Sequence, residues 1–334
     1  MRILVDGMGG DYSPSEIVKG AVMAAPHINE TIAILGPEEI INELLAAEGW
    51  NGNNIEVINA TEVITNDEAP AKAIRRKKDS TIVKAMTMMK EGQGDAFISA
   101  GSTGALLSGG LLILGRIKGI KRPAIAAFFP KIGQDDTTLI VDCGANVESK
   151  PEYIYQNGIM GSIFVKALKG IDNPEVKLLN VGAEDAKGDD LHKEAFKLLE
   201  SSSLNFTGNV EGRDVCFGVC DVVATDGFSG NVFLKSSEGI AIAIMKRVKE
   251  KMTDGIAAKL GAALSYGKLR ELKDEFNYDT EGGAPILGLK GAVLKIHGNS
   301  KAPAVYYAIK KAVRYVENDV TGQIEKAVTC HSEL

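Results

Sequence analysis

An apolar run of β type, ending in a loop of glycine, aspartate, serine, threonine or asparagine and followed by a helical stretch, recurs along this chain. Residues 3–5 lead into Asp6-Gly7-Met8-Gly9-Gly10-Asp11, and residues 32–35 end at Gly36-Pro37. Residues 96–98 lead into Ser99-Ala100-Gly101-Ser102-Thr103-Gly104, and residues 139–141 into Asp142-Cys143-Gly144-Ala145-Asn146. Residues 178–181 lead into Gly182-Ala183-Glu184-Asp185, and residues 222–224 into Thr225-Asp226-Gly227-Phe228-Ser229-Gly230-Asn231. Near-continuous apolar strands alternating with helices predict an α/β fold, a three-layer αβα sandwich with a mostly parallel sheet covered on both faces. Ligands of such sheets bind beyond the carboxyl ends of the strands. The polar loops are therefore expected together, on one sheet edge, around one crevice.

From about residue 236 the pattern changes to helix. Ile240, Ile244 and Val248 recur at helical spacing, with Lys246, Arg247 and Lys249 between them. A second helical stretch is expected from Gly267 to Phe276. Ile256, Leu260 and Leu264 lie between the two as an i, i+4, i+8 stripe. The segment reads as a helical hairpin, residues 236–276, protruding from the sheet with an apolar tip. No long linker, low-complexity tract or fixed-period repeat divides the 334 residues, so one domain spanning 1–334 is expected. The apolar stretch 104–115 is too short to span a bilayer and reads as a buried core helix. Asp6 interrupts any signal-peptide core, so no export is expected.

The formal net charge of −6 argues against nucleic acid as a partner, since such binding rests on neutralising phosphates with Lys and Arg. Cys143, Cys216, Cys220 and Cys330 form no C-x-x-C pair. They read as buried thiols in a reducing cytosol, Cys216 and Cys220 within a strand-like run, and no metal site is expected. No G-x-G-x-x-G follows the first strand, and neither a P-loop nor a G-x-S-x-G elbow occurs. No cofactor is expected. His192 reads as a helix-surface residue.

Loops such as 99–104, at strand-to-helix junctions, present backbone N–H groups and hydroxyls, which suit an anion. Taken singly, each also reads as a capped tight turn. Together, without a nucleotide fingerprint, they point to a compact oxyanion rather than a dinucleotide. Lys187 reads either as a solvated loop lysine or as a site cation, and Asn231 either as a helix cap or as a site donor. The basic run Arg75-Arg76-Lys77-Lys78 reads either as a solvated helix face or as a docking patch for an acidic carrier. The stripe Ile256, Leu260, Leu264 reads either as packing or as membrane contact, with Lys259, Lys268 and Arg270 toward anionic head groups.

Taken together, Val5-Asp6-Gly7-Met8-Gly9-Gly10-Asp11, Arg75 to Lys78, Ile98-Ser99-Ala100-Gly101-Ser102-Thr103-Gly104-Ala105 and Gly115-Arg116-Ile117-Lys118-Gly119-Ile120 carry a resemblance. So do Gly144-Ala145-Asn146-Val147, Lys150-Pro151-Glu152, Leu179-Asn180-Val181-Gly182-Ala183-Glu184-Asp185 with Lys187-Gly188, Thr225 to Val232, Gly288-Leu289-Lys290 and His297-Gly298-Asn299-Ser300. The chain resembles the bacterial phosphate acyltransferases (PlsX) from about residue 1 to 320. The resemblance implies a fold related to phosphate acetyltransferases and isocitrate/isopropylmalate dehydrogenases, and a homodimer whose hairpins pack together. It implies conversion of acyl-ACP and inorganic phosphate to acyl phosphate and ACP, the entry to phospholipid synthesis. The expected setting is cytoplasmic with peripheral membrane association, near the glycerol-3-phosphate acyltransferase that consumes the product. The family's catalytic lysine and asparagine fall on Lys187 and Asn231. Substrate contacts are expected from Asp6, Gly9, Gly10, Asp11, Ser99, Gly101, Ser102, Thr103, Gly104, Asp142, Gly144, Asn146, Asp226, Gly227, His297 and Gly298. Ser102 stands where the family often has Asn, and Cys143 where a small apolar residue is common.

Overall fold

The computed structural model describes residues 1–275 and 281–331. β1 (Arg2–Asp6) shows why the recurring apolar runs become central strands. Successive side chains of a strand point to opposite faces. Ile3 and Val5 join one buried cluster, and Leu4 joins the other. The chain continues through α1 (Ser15–Ala24), β2 (Thr31–Gly36), α2 (Glu38–Ala47), β3 (Ile55–Asn59), α3 (Pro70–Arg76), α4 (Thr81–Lys90), β4 (Ala96–Ser99) and α5 (Thr103–Gly109). Next come β5 (Ala124–Pro130), β6 (Thr137–Val141), α6 (Pro151–Lys169), β7 (Glu175–Asn180), α7 (Asp190–Glu200), β8 (Asn205–Glu211), α8 (Gly212–Val215) and β9 (Val222–Ala224). A long helix, α9 (Gly227–Met252), is followed by α10 (Ile256–Leu264), α11 (Tyr266–Glu275), β10 (Ala284–Leu287), β11 (Ala292–Lys295), α12 (Ala302–Glu317) and α13 (Val320–His331).

Helices α1, α2, α6, α7, α12 and α13 place apolar residues in one cluster, and α3, α4, α5, α8 and α9 in the other. Each fully buried Ile, Leu or Phe at these contacts contributes about 1.5–3 kcal/mol of transfer free energy. This is the expected α/β architecture with helices on both faces of a mostly parallel sheet. The strand order is β3-β2-β1-β4-β11-β10-β5-β6-β9-β7-β8.

The expectation of one loop-bearing sheet edge needs correction. β3, β2, β1, β4 and β11 run parallel to one another. β10 is antiparallel to β11 and to β5, and β5 is antiparallel to β6. β6, β9, β7 and β8 then run parallel again, but opposite to the first group. The carboxyl ends of β1, β4 and β11 thus point one way, and those of β6, β7 and β9 the other. Both still reach one place because the seam between them is short. β10 has four residues, about 13 Å of strand at ~3.3 Å each. Ala284 at its start pairs with Lys295, and Leu287 at its end pairs with Ala124 of β5.

Other expectations shift locally. Cys216 follows α8, and Cys220 precedes β9, so their run is a short helix and turn rather than a strand. Cys143 and Cys220 are buried, Cys216 is half-buried, and the Cys330 side chain lies outside the described residues. The 104–115 segment is helical, but Leu111 and Leu112 are exposed rather than buried. Phe276, the last residue of the expected hairpin, lies outside the described residues. The boundary at 236 falls inside α9, which starts earlier because the Asp226 side chain caps it at the Phe228 and Ser229 amides. Among the described residues no helix is long and apolar enough to cross a membrane.

Candidate active site

A cavity of about 490 Å³ lies over the seam, floored by Ile125 and Ala127 of β5 and Ala284 of β10. One wall comes from the carboxyl ends of β4 and β11: Ala100, Gly101 and Thr103, then Lys295 to Gly298. The opposite wall comes from the end of β6, at Cys143 and Gly144, and from α9, at Asn231, Leu234, Lys235 and Glu238. Of the residues singled out from sequence, Gly101, Thr103, Gly144, Asn231, His297 and Gly298 line it.

Most of the expected substrate contacts that do not line it build the walls behind it. Asp6 is buried behind the first wall; Ser99 Oγ donates to its Oδ2 at 2.6 Å, and the Gly101 amide donates to Ser99 Oγ at 2.9 Å. The Met8 amide donates to Asp6 Oδ1 at 3.1 Å. Burial pushes the Asp6 carboxyl above its ordinary range, against the pull of Ser99. Gly9 packs beside Asp6 and the Gly101 amide, and Gly10 beside Ala100 and Gly298. The Asp11 amide donates to the Gly298 carbonyl at 2.7 Å. Ser102 caps α5, and Gly104 packs on Pro70.

The second wall is organised by Asp142, which is fully buried. Its Oδ1 accepts from the amides of Ile125, Gly144 and Ala145, at 3.1, 3.1 and 2.9 Å. Its Oδ2 accepts from the amide and the side chain of Asn146, both at 2.9 Å. Burial pushes its carboxyl up, and these donors oppose the shift. The first turn of α9 is pressed onto this loop, with Gly227 beside Asn146 and Asp142, and Gly230 beside the Asp142 carbonyl. Asn231 packs directly against Gly144.

Lys187 does not line the cavity. Its side chain is 50% exposed, with Nζ 3.9 Å from Glu184 Oε1. The Asn180 side chain holds its loop by donating to the Lys187 carbonyl at 3.2 Å. The loop is tied to α9 through His192, whose side chain is only 14% exposed rather than on the surface. His192 Nδ1 lies 2.6 Å from Asp189 Oδ1, and Nε2 lies 3.5 Å from Asp226 Oδ2. That Asp226 oxygen has no hydrogen-bond donor of its own among the described residues.

The Asp226 carboxylate first, and Asp189 after it, hold the imidazole above its ordinary value, against burial. Asp226 itself is drawn down to about 2 by His192 and the Ser229 amide, against its own burial. A raised histidine pKa adds stability that is fully present below the unfolded value of about 6.5 and is lost as pH rises through the folded value. Both carboxylates stay ionised over that window, so only His192 titrates. The His192→Gln variant is therefore expected to lose more thermal stability, relative to wild type, at about pH 5.5 than at about pH 8.5. Melting curves at the two pH values check this; equal losses would refute the clasp.

Elsewhere, Arg75, Arg76 and Lys78 are exposed, but Lys77 is engaged: its Nζ donates to Glu68 Oε1 and to the Val63 carbonyl, both at 2.6 Å. Ile256, Leu260 and Leu264 are 82, 63 and 91% exposed on α10. Lys295 was not singled out from sequence, yet its side chain faces the cavity. The one local trace of it in the sequence is a charge after a short apolar run, just before His297-Gly298, too slight to mark a site by itself. Among the described residues there is no cluster of three metal-ligating side chains.

Solved structures share the fold. A phosphotransacetylase from Streptococcus pyogenes superposes with a TM-score of 0.64 at 17% identity, covering 95% of this chain and 94% of that one. A 4-hydroxythreonine-4-phosphate dehydrogenase from Klebsiella pneumoniae reaches a TM-score of 0.53 at 14% identity, covering 94% and 99%. Sequence relatives are nearer. The phosphate acyltransferase of Thermoanaerobacter pseudethanolicus is 45% identical over 329 residues, covering 98% of this chain and 97% of the relative. That of Clostridioides difficile is 41% identical over 333 residues, covering 100% and 98%. A family model described as "Fatty acid synthesis protein" matches residues 1–323. Full-length kinship of this strength leaves one conclusion: the chain belongs to that family, the family of the phosphate acyltransferases.

Proposed function

We propose that this chain transfers a long-chain acyl group from acyl-ACP to inorganic phosphate in the seam cavity, releasing ACP and acyl phosphate for phospholipid synthesis. The observation that carries the reading is the cavity itself, where backbone loops, Asn231 and two lysines converge in a chain of phosphate acyltransferase kinship. A phosphate oxygen attacks the thioester carbonyl carbon. The new C–O bond forms, the C–S bond breaks, and the proton of hydrogen phosphate ends on the departing thiol. Phosphate is already anionic at neutral pH and a thiol leaves with a pKa of about 8.5, so neither strong base nor strong acid is needed. Positioning and charge stabilisation dominate instead. Asn231 donates to the carbonyl oxygen as it becomes an oxyanion. Lys187 offsets charge from the rim, coming inward from its exposed loop. The loops 99–104 and 142–146, with Asp6, Gly9, Gly10, Asp11, Asp226, Gly227, His297 and Gly298, shape the pocket around phosphate and thioester. The wider kinship of the fold is with isocitrate and isopropylmalate dehydrogenases.

The exposed α10 stripe, and the exposed Ile240, Ile242 and Ile244 of α9, support a homodimer through these helices and a peripheral membrane contact beside a glycerol-3-phosphate acyltransferase. Arg75, Arg76 and Lys78 suit the acidic carrier protein. The enzyme is then cytoplasmic, touching the bilayer from the surface. Leu260→Glu should lower partition onto anionic vesicles ~10-fold or more, the value of one buried leucine. Flotation of wild type and variant with phosphatidylglycerol vesicles measures it, and equal flotation rejects membrane docking.

The function is tested by incubating purified protein with palmitoyl-ACP and radiolabelled phosphate. Labelled mixed anhydride, trapped as the hydroxamate, is expected. Product from acetyl-CoA but not from palmitoyl-ACP would replace the reading with a short-chain transferase. Absence of product from both would end it.

A further inference from the structure

The two lysines that line the cavity are not equivalent. Lys235 Nζ lies 2.7 Å from Glu238 Oε2, so its charge is already matched. Glu238 also lies 3.8 Å from His297 Nε2 on the opposite wall. Lys295, the last residue of β11, has no carboxylate within 4 Å of Nζ among the described residues; Nζ donates to the Ala100 carbonyl at 3.2 Å and to the Ile296 carbonyl. An ammonium group carries three donors. Two serve carbonyls at the root of the first wall, which fixes where the group sits, and the third is left for the cavity. Lys295 is partly buried, and a cation drawn out of water without a counter-ion is costly unless a ligand supplies the charge.

We infer that Lys295 is a catalytic residue that binds the attacking phosphate, its Nζ contacting a non-attacking phosphate oxygen beside the Gly101–Thr103 wall. The inference rests on the reading of the cavity as the site of acyl transfer to phosphate. It gives the two sides separate tasks: Lys295 presents the nucleophile from the β4/β11 wall, and Asn231 receives the carbonyl oxygen from the α9 wall. Lys187, half-exposed and outside the cavity, is free to act on the leaving side.

The titration of the group is a further readout. Burial lowers the Lys295 pKa to about 8, with Lys235 adding to the effect; Asp6 and Asp11 oppose it. Glu238 and His297 on the facing wall and Glu281 at the edge complete the charges around the cavity. Phosphate binding should therefore weaken as pH rises through about 8, where Nζ loses its proton.

The experiment compares wild type with Lys295→Met, which keeps the stem and removes the charge, and with Lys295→Arg. Losing one charge-assisted contact should raise the phosphate KM about 10- to 100-fold in Lys295→Met, with the acyl-donor KM within about twofold of wild type. Lys295→Arg should recover most of the affinity and move the alkaline fall in phosphate affinity upward. A wild-type phosphate KM in folded Lys295→Met overturns the assignment. If that variant does not fold, a phosphate KM for wild type that stays flat from about pH 7 to about pH 9.5 overturns it instead. Equilibrium dialysis with radiolabelled phosphate keeps the two ideas apart. Wild type that retains phosphate while Lys295→Met does not supports the lysine's role even if no acyl phosphate is made, in which case only the reaction assigned to the cavity falls. Equal retention by both proteins overturns the role of Lys295.

Discussion

Asn231→Ala is expected to lower turnover ~100- to 1000-fold, the usual cost of removing one donor from an oxyanion site. The side chain lines the cavity, packs against Gly144, and sits one turn into α9, a helix whose start is fixed by the Asp226 cap. Its amide is therefore held on rigid backbone, and under the proposed mechanism it meets the oxyanion as charge develops, the arrangement that makes a donor count more in the transition state than in the bound substrate. kcat and kcat/KM should fall together, while the phosphate KM changes little. The test is phosphate-dependent release of ACP by a variant with a wild-type melting temperature. Turnover within about threefold of wild type would remove Asn231 from the chemistry. Lys187→Ala, in the same assay, should also cost rate, and its dependence on leaving-group pKa distinguishes action on the thiolate from a surface role.

Gly230→Ala is expected to be the most damaging single methyl in the active-site region. A β-carbon there would fall far inside van der Waals contact distance of the Asp142 carbonyl oxygen and 2.7 Å from Thr225 Cγ2. Backbone lies on the far side, so no flexible side chain can swing away. The helix must lift off the Asp142 loop, loosening the packing around the buried carboxylate and displacing Asn231. Overpacking of this kind costs about 1–3 kcal/mol, which for a chain of this size lowers Tm by ~1–4 °C. Activity should fall further than stability alone explains, because the donor moves with the helix. Gly239→Ala is the control on the same helix: its new methyl would meet nothing within 4 Å. It should stabilise by about 0.5–1 kcal/mol through helix propensity. A Gly230→Ala protein as stable and active as wild type would show that α9 does not rest on the loop as described.

The strands read from sequence, β1, β2, β4, β6, β7 and β9, were those whose short apolar run ends in a polar or glycine-bearing loop. β5, as apolar and buried as these, was missed because it ends at Pro130-Lys131 rather than in such a loop. β3 and β8 were missed because they are the two edges of the sheet, partly exposed and partly polar. β10 and β11 were missed because, unlike in the comparably short β4 and β9, Pro285 and Lys295 break their apolar patterns, and β10 runs into another strand rather than into a loop that opens a helix. The opposed directions of the two half-sheets had no signature at all, since composition and spacing do not encode strand polarity across a long-range pairing. The loops at 99–104 and 142–146 were legible through their glycines and capping side chains. His192 and Lys295 were not, because one lies on an ordinary amphipathic helix and the other at the end of an unread strand. Only tertiary packing brings them to Asp226 and to the cavity.

The seam also sets an order of assembly as the chain leaves the ribosome. β4 is made early, but the strand that covers its free edge, β11, is separated from it by everything from α5 to β10. An uncovered parallel edge invites wrong partners. Each half-sheet can pair within itself during translation, yet the two cannot be stitched together until β10 and β11 emerge. The nascent protein therefore gains its seam cavity only near the end of synthesis, and a polypeptide cut short before the stitching strands lacks both the floor from β10 and the wall from β11.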